Sequence, residues 1–191
     1  MLDNLKLKSQ MSNRKGEKLS MDELERKSVG EFKEAEKLPV IVVLDDIRSL
    51  HNIGSVFRTS DAFAIEKVVL CGITARPPHR EIQKTALGAT ESVEWEYYES
   101  CIEAISNLRA SGCLIYGVEQ VADSQSLSAV QLKFDKPIVL VFGNEVRGVA
   151  QSVLNDCDDF IEIPQDGTKH SLNVSVSVGV VLWELSKRFR N

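Results

Sequence analysis

Three short stretches set polar side chains at the ends of apolar runs, where a ligand could meet the main chain. Gly143-Asn144-Glu145 follows the run Ile138–Phe142, and Gly148 comes soon after. Two glycines beside a strand end let backbone come close to a ligand. Asn52, Gly54 and Arg58 form the second group; Gly54 and Arg58 are four apart and so share a helix face. Ser171, Leu172 and Asn173 form the third, ahead of an apolar stretch that ends in Leu182, Trp183 and Leu185. The chemistry on offer is a ligand held by main chain, with amide, carboxylate and guanidinium groups nearby to orient it. Several familiar chemistries are missing. There is no G-x-G-x-x-G after the first strand, no G-x-x-x-x-G-K-[ST] and no G-x-S-x-G elbow. That counts against a Rossmann dehydrogenase, a Rossmann-type methyltransferase, a P-loop NTPase and an α/β-hydrolase. A plainer reading makes the apolar residues the last elements of any α/β domain and Arg58 a surface or salt-bridging arginine. It does not account for Asn144, Glu145 and Asn173.

The elements that must position these groups alternate. Val40–Leu44 is a buried strand of β-branched residues, and Asn52 reads as the N-cap of a helix over Ile53–Phe63. Gly54 inside that helix costs up to ~1 kcal/mol against alanine, which suggests close approach of a ligand or a second helix. Strands are expected at Lys67–Cys71, Val93–Tyr97, Cys113–Val118, Ile138–Phe142 and Phe160–Ile163. Helices are expected at Arg80–Leu87 and Ser100–Ala110, with a weak helical turn at Leu127–Leu132. Ser171 to Val178 alternates like a strand, yet the piece through Glu184 reads as one helix with a basic last turn. Its small residues Ser175, Ser177 and Gly179 would admit another backbone. Strand–helix alternation of this kind implies a mostly parallel sheet with helices on both faces.

Composition bounds the class. The chain has 191 residues, enough for one domain with an appendage, and a formal charge of −5, which does not advertise nucleic-acid binding. Any RNA surface would be local, with Arg48, Arg76, Arg80 and Arg147, besides Arg58, Lys84 and Lys169, as candidates near loop and helix ends; scattered solvation serves equally for any one of them. The loop Thr74-Ala75-Arg76-Pro77-Pro78-His79-Arg80 could hold phosphates or be a stiff connector. Cys71, Cys101, Cys113 and Cys157 lack C-x-x-C spacing, and the three histidines add no metal pattern, so free buried thiols in a reducing cytosol are expected and no metal. No run approaches a membrane span and the first residues lack a signal-peptide core. Residues 1–38 are Lys/Glu-rich, and Ser20 with Glu23 and Ser28 with Glu31 fit capping boxes. They predict a helical arm, with helices Met21–Lys27 and Val29–Lys37 after a loose first dozen residues, ahead of a main domain over 39–191. The arm would guide RNA, pack on a partner or be merely solvated.

Gly143-Asn144-Glu145-x-x-Gly148, Ile163-Pro164 and Leu172-Asn173-Val174-Ser175 resemble the second and third motifs of SpoU-type (TrmH-like) RNA ribose methyltransferases of the SPOUT superfamily. Asn52-x-Gly54-x-x-x-Arg58 matches the first. Family members often carry Asp-Pro before that Asn, whereas Ser49-Leu50-His51 stand here, so the loop's entry differs. The resemblance runs from Val40 to Lys187.

What the resemblance implies goes beyond spacing. The α/β fold would end in a C-terminal trefoil knot. The protein would be a cytoplasmic homodimer whose sites draw on both subunits, with S-adenosylmethionine held in the knot. It would methylate a ribose 2′-hydroxyl of tRNA or rRNA; the short arm tilts the choice to tRNA. Gly143, Ile163, Leu172 and, more loosely, Val118 would contact the cofactor, mostly through backbone. Arg58 would be the catalytic arginine. With a pKa above 12 it is a poor base and a better orienter and charge stabiliser. Asn52, Glu145, Ser171 and Asn173 would fix Arg58, the ribose or the cofactor loops, unless Glu145 caps a helix starting near Val149. A catalytically silent RNA-binding protein of the same fold is the main alternative. An unrelated α/β small-molecule enzyme is a third.

Overall fold

The computed structural model describes residues 16–20 and 22–190, with Asp22 in backbone alone. The expectation of a loose first dozen residues falls outside them, as does Met21. The described chain begins with a 3-10 turn at Asp22–Leu24 and helix α1 (Val29–Glu34). Seven strands follow: β1 (Leu38–Asp45), β2 (Ile65–Cys71), β3 (Glu94–Tyr98), β4 (Leu114–Val118), β5 (Gln125–Ser126), β6 (Ile138–Phe142) and β7 (Asp159–Glu162). Between and after them lie α2 (Leu50–Phe63), α3 (Arg80–Ala86), α4 (Ala89–Ser92), α5 (Cys101–Ala110), α6 (Gln151–Leu154) and α7 (Val174–Arg190).

The strands form one sheet in the order β3-β2-β1-β6-β4-β7-β5, and every pairing in it is parallel. Alternate residues of β1 enter opposite cores. Val40, Val42 and Leu44 join a cluster with Phe57, Val178 and Leu182; Ile41 and Val43 join one with Ile105, Ile115 and Val153. Burial on both faces explains why the central strands are apolar without a break. Because all strands run the same way, the loops after β1, β2, β4, β6 and β7 open on one edge. That edge is where open α/β sheets bind ligands.

Several boundaries differ from expectation for local reasons. Helix α2 starts at Leu50, and its N-cap is Ser49, whose hydroxyl accepts from the Asn52 amide at 3.3 Å. Asn52 is therefore inside the first turn with its side chain released for other partners. The C-terminal helix starts at Val174, not Ser171: the Asn173 side-chain oxygen accepts from the Ser175 N–H at 2.9 Å and stops the helix there. The alternating valines split between its faces, Val174 and Val178 inward, Val176 and Val180 outward. Within the chain Gly179 makes no close approach; a methyl group there would only touch Thr59 at 3.9 Å. The close approach is at Gly54, where a methyl group would overlap the Ile82 carbonyl and Thr85 hydroxyl of α3. The expected helical turn is present over residues 127–129, where the Ala129 and Val130 N–H groups both donate to the Ser126 carbonyl at 2.9 Å; it directly follows β5, whose Gln125 and Ser126 pair with Ile161 and Glu162 of β7. The arm's helices are shorter than expected. Glu25 has φ 46°, which breaks the first, and α1 ends at Glu34. The Ser28–Glu31 capping box is present, and Phe32 is buried in the main core, so the arm is packed against the sheet domain. All four cysteines are free, three of them buried.

Asp45 ends β1 on the face of Ile41 and Val43. Burial, and then the charge of Asp46, pushes its carboxyl up from 3.8 to about 6. A folded-state value above the unfolded one gives stability that is complete below about pH 4 and is lost as pH rises through about 6. Asp45→Asn is thus expected to stabilise the protein at pH 7, by about 2–3 kcal/mol, and to change nothing near pH 4. Denaturant titrations at the two pH values check this; an equal effect at both would contradict it.

Candidate active site

The second motif is a loop folded back on itself. The Gly148 N–H donates to the Asn144 carbonyl at 2.8 Å, and Gly148 has φ 67°, which favours glycine. The Asn144 side chain closes the turn from within: its oxygen accepts from Val146 N–H at 2.9 Å, and its amide donates to the Asp46 carbonyl at 2.7 Å. Gly143 is pressed against the returning end of this loop, since a methyl group there would overlap Gly148 and the Val149 nitrogen. Glu119, just past the end of β4, accepts from the Val149 N–H at 3.0 Å and pins the loop's far end.

This loop walls a cavity of about 440 Å³, within the range of small-molecule sites. Val118, Gly143, Ile163 and Leu172 all line it, as do Ser171 and Arg147. Three strand ends and the lead-in to α7 thus bring the four expected cofactor-contacting residues together. Glu119, His170 and Gln165 also line it and were missed. Glu119 carried a signal: a carboxylate at the C-terminal end of a parallel strand, next to Val118.

Beside the cavity the three motifs are joined through side chains. Glu145 Oε1 accepts from the Asn52 side-chain amide at 3.1 Å and from Ser49 N–H at 3.2 Å; Oε2 accepts from Arg48 N–H at 3.2 Å. The Asn173 amide donates in turn to Asn52 Oδ1 at 3.1 Å. Partial burial pushes the Glu145 carboxyl up. The amides of Glu145 itself and Arg48, with Asn52 and Ser49, outweigh that and hold it below the usual carboxylate range. Glu145 is therefore an ionised, donor-saturated clamp across two loops. It does not cap α6, which begins six residues on with Ala150 at its N-cap.

Arg58 stands apart. It is exposed on α2 and lines a second cavity, of about 660 Å³, between the arm, α2 and the α3–α4 turn. It does not line the first cavity. Arg48 follows β1, Arg76 and Arg80 follow β2, and Arg147 follows β6, so all four come after strand ends. The Arg76 guanidinium lies over the Tyr97 ring at 4.3 Å, while Arg48 and Arg80 are exposed. Among the described residues no helix is long and apolar enough to cross a membrane.

The SpoU rRNA methylase family model matches residues 39–183. The 23S rRNA (guanosine-2′-O-)-methyltransferase RlmB of Pseudomonas aeruginosa is 29% identical over 154 residues, covering 81% of this chain and 61% of that protein. The chain spans about three fifths of the length of the curated relatives it matches. Among solved structures, the TrmH/SpoU tRNA modifying enzyme of A. aeolicus superposes with a TM-score of 0.74 at 26% identity, covering 85% of this chain and 82% of that one. The AdoMet-bound rRNA methyltransferase of Sinorhizobium meliloti gives 0.73 at 26% identity, covering 80% and 60%.

Proposed function

The chain belongs to the SpoU rRNA methylase family, and on that premise we propose that it is a homodimeric, cytoplasmic RNA methyltransferase that uses S-adenosylmethionine to methylate a ribose 2′-hydroxyl. The observation that carries this is the Glu145–Asn52–Asn173 chain of hydrogen bonds beside the first cavity. It ties all three motif segments together beside one ligand-sized space. tRNA is the substrate favoured in this proposal, in keeping with the likeness to a tRNA modifying enzyme. The functional unit runs over 39–191, with residues 1–38 as its arm. The C-terminal knot is part of the same proposal. It is supported by the loop after β5 gripping the end of α7: Arg188 donates to the Leu127 carbonyl at 2.6 Å and the Val130 carbonyl at 2.5 Å, and Phe134 meets Phe189 edge-on.

The cavity fits the cofactor. Gly143 leaves room only for backbone, and Val118, Ile163 and Leu172 give apolar walls for an adenosine. When bound there, the cofactor supplies a sulfonium-activated methyl group. The residues of the chain deal with the harder partner, a hydroxyl that keeps its proton at pH 7. Arg58, permanently charged, orients the ribose or its phosphate and stabilises negative charge as the proton leaves. Glu145, with both oxygens engaged, positions the loops and is a poor base. Asn52 and Asn173 hold the α2 start against the lead-in to α7, and Ser171 offers a hydroxyl at the cavity wall.

A second copy accounts for two features. Arg58 lies outside its own protomer's first cavity. Helix α7 also exposes an apolar stripe at helical spacing, with Val176 50%, Val180 38% and Trp183 59% exposed. Phe63 of α2 extends it, its ring 6.2 Å from Trp183. Burying this stripe on a partner would bring α2 and Arg58 towards the other subunit's site. Trp183→Glu, at an exposed position that the fold tolerates, is expected to give folded monomers with little activity. Sedimentation at micromolar concentration checks this, and a monomeric wild type would contradict it. The function itself is tested by incorporation of labelled methyl from S-adenosylmethionine into bulk RNA, without added metal. Uptake is expected; cofactor binding with RNA binding but no transfer would favour the silent alternative.

A further inference from the structure

We infer that the second cavity, roofed by the N-terminal arm, binds a nucleotide of the substrate RNA and that Arg26 and Lys27 hold its phosphates. This rests on the reading of Arg58 as the residue that meets the RNA, and assigns the arm its part in that encounter. Arg26 and Lys27 from the arm, Arg58 from α2 and Arg190 from the end of α7 converge on one space of about 660 Å³. Among the described residues, none of these four side chains makes an ion pair or a side-chain hydrogen bond. Three other cations of the arm and α7 are paired: Lys33 with Glu94, and Lys187 and Arg188 with Glu184. The acids of the cavity do not cancel the cluster. Asp61, which accepts a hydrogen bond from the Ser92 hydroxyl and keeps its charge, stands with Glu25 and Glu91 against four cations, so the cations are one in excess.

The walls between the cations are apolar and wet, as a base-binding surface must be. Leu87 is 65% exposed, and Val29 and Leu24 are 44% and 38% exposed, all lining the same space. Leu87 is held out by its left-handed backbone at φ 50°, at the C-terminal end of α3. Apolar surface beside unpaired cations suits a base on one side and its phosphates on the other. The arm is anchored firmly enough to present them, since Phe32 is buried in the main core and the Ser28–Glu31 capping box fixes the start of α1 next to Lys27. A second copy of the chain is the other candidate occupant, and the test separates the two.

The experiment measures filter binding of total tRNA by the full-length protein across a salt series, which needs no methyl transfer. Lys27→Glu and Arg26→Glu/Lys27→Glu are compared with Lys33→Glu, the same charge change on the arm outside the cavity. The double variant is expected to weaken binding tenfold or more and to lower the log–log salt slope by about two, one per lost phosphate contact. Lys33→Glu should stay within about twofold of wild type, and all variants should bind S-adenosylmethionine normally. Equal losses for Lys27→Glu and Lys33→Glu would mean a diffuse charge effect and overturn the assignment. So would a double variant that keeps its RNA affinity, or one that turns monomeric at unchanged affinity per subunit. A protein that binds RNA through this cavity but transfers no methyl would keep the inference and end the catalytic reading.

Discussion

Arg58→Ala is expected to lose methyl transfer by about 10²-fold or more while keeping near-normal affinity for S-adenosylmethionine. Removal of one preorganised electrostatic group typically costs that much. The two functions should separate because Arg58 does not line the cavity shared by Gly143, Ile163 and Leu172. The variant should fold, since the side chain is exposed and pairs with nothing among the described residues. Arg58→Lys should rescue little, because a point charge cannot reproduce the planar fork of the guanidinium. Single-turnover rates at saturating RNA distinguish this from weaker RNA binding. A surface arginine would instead cost at most ~1 kcal/mol of stability and leave the rate alone. A folded, dimeric and fully active Arg58→Ala enzyme would end the assignment.

Gly143→Ala should do the reverse. The added methyl group would meet Gly148 and the Val149 nitrogen, main-chain atoms that cannot swing aside as a side chain can. The turn from Asn144 to Gly148 is closed by its own hydrogen bonds and pinned by Glu119, so the overlap must be relieved by opening the cavity wall. Overpacking of this kind costs about 1–3 kcal/mol, or roughly 5- to 150-fold in an equilibrium constant. Cofactor affinity measured by calorimetry is expected to fall by about that factor. Leu172→Glu provides a variant free of folding risk, since Leu172 is 39% exposed at the cavity's rim, and it too should weaken cofactor binding first. Normal affinity in both variants would remove the first cavity from the account.

The parts of this structure that were legible in the sequence are those governed by local pattern. β6 begins and ends at Ile138 and Phe142 as read, because an unbroken β-branched run bounded by Pro137 and Gly143 admits little else. The parallel sheet followed from strand–helix alternation. Gly143, Ile163 and Leu172 were found through motif order and Val118 through its place at a strand end, and all four line the first cavity. What pattern could not show was the partner of each polar group. The Glu145 clamp on Asn52 joins residues 93 apart in the chain. Asn52 looked like a cap because its residue type is a good one, yet Ser49 took that role and left Asn52 free to be held. β5 was missed because two polar residues carry no strand pattern, and only the edge of β7 makes them one. The tight contact anticipated at Gly54 is made by α3, and within one chain Gly179 leaves open the room that a small residue gives. The arm's link to the core through Phe32 was equally silent, one aromatic in a charged segment.

The central claim is that the chain methylates ribose and not a base, and one measurement addresses it directly. RNA from cells lacking the gene is incubated with the purified protein and methyl-labelled S-adenosylmethionine, digested to nucleosides and resolved. The label is expected in a single 2′-O-methylnucleoside, arising from tRNA, and absent when the RNA comes from cells that carry the gene. Label in a base-methylated nucleoside, or none in any RNA from a dimer that binds the cofactor, would contradict the account.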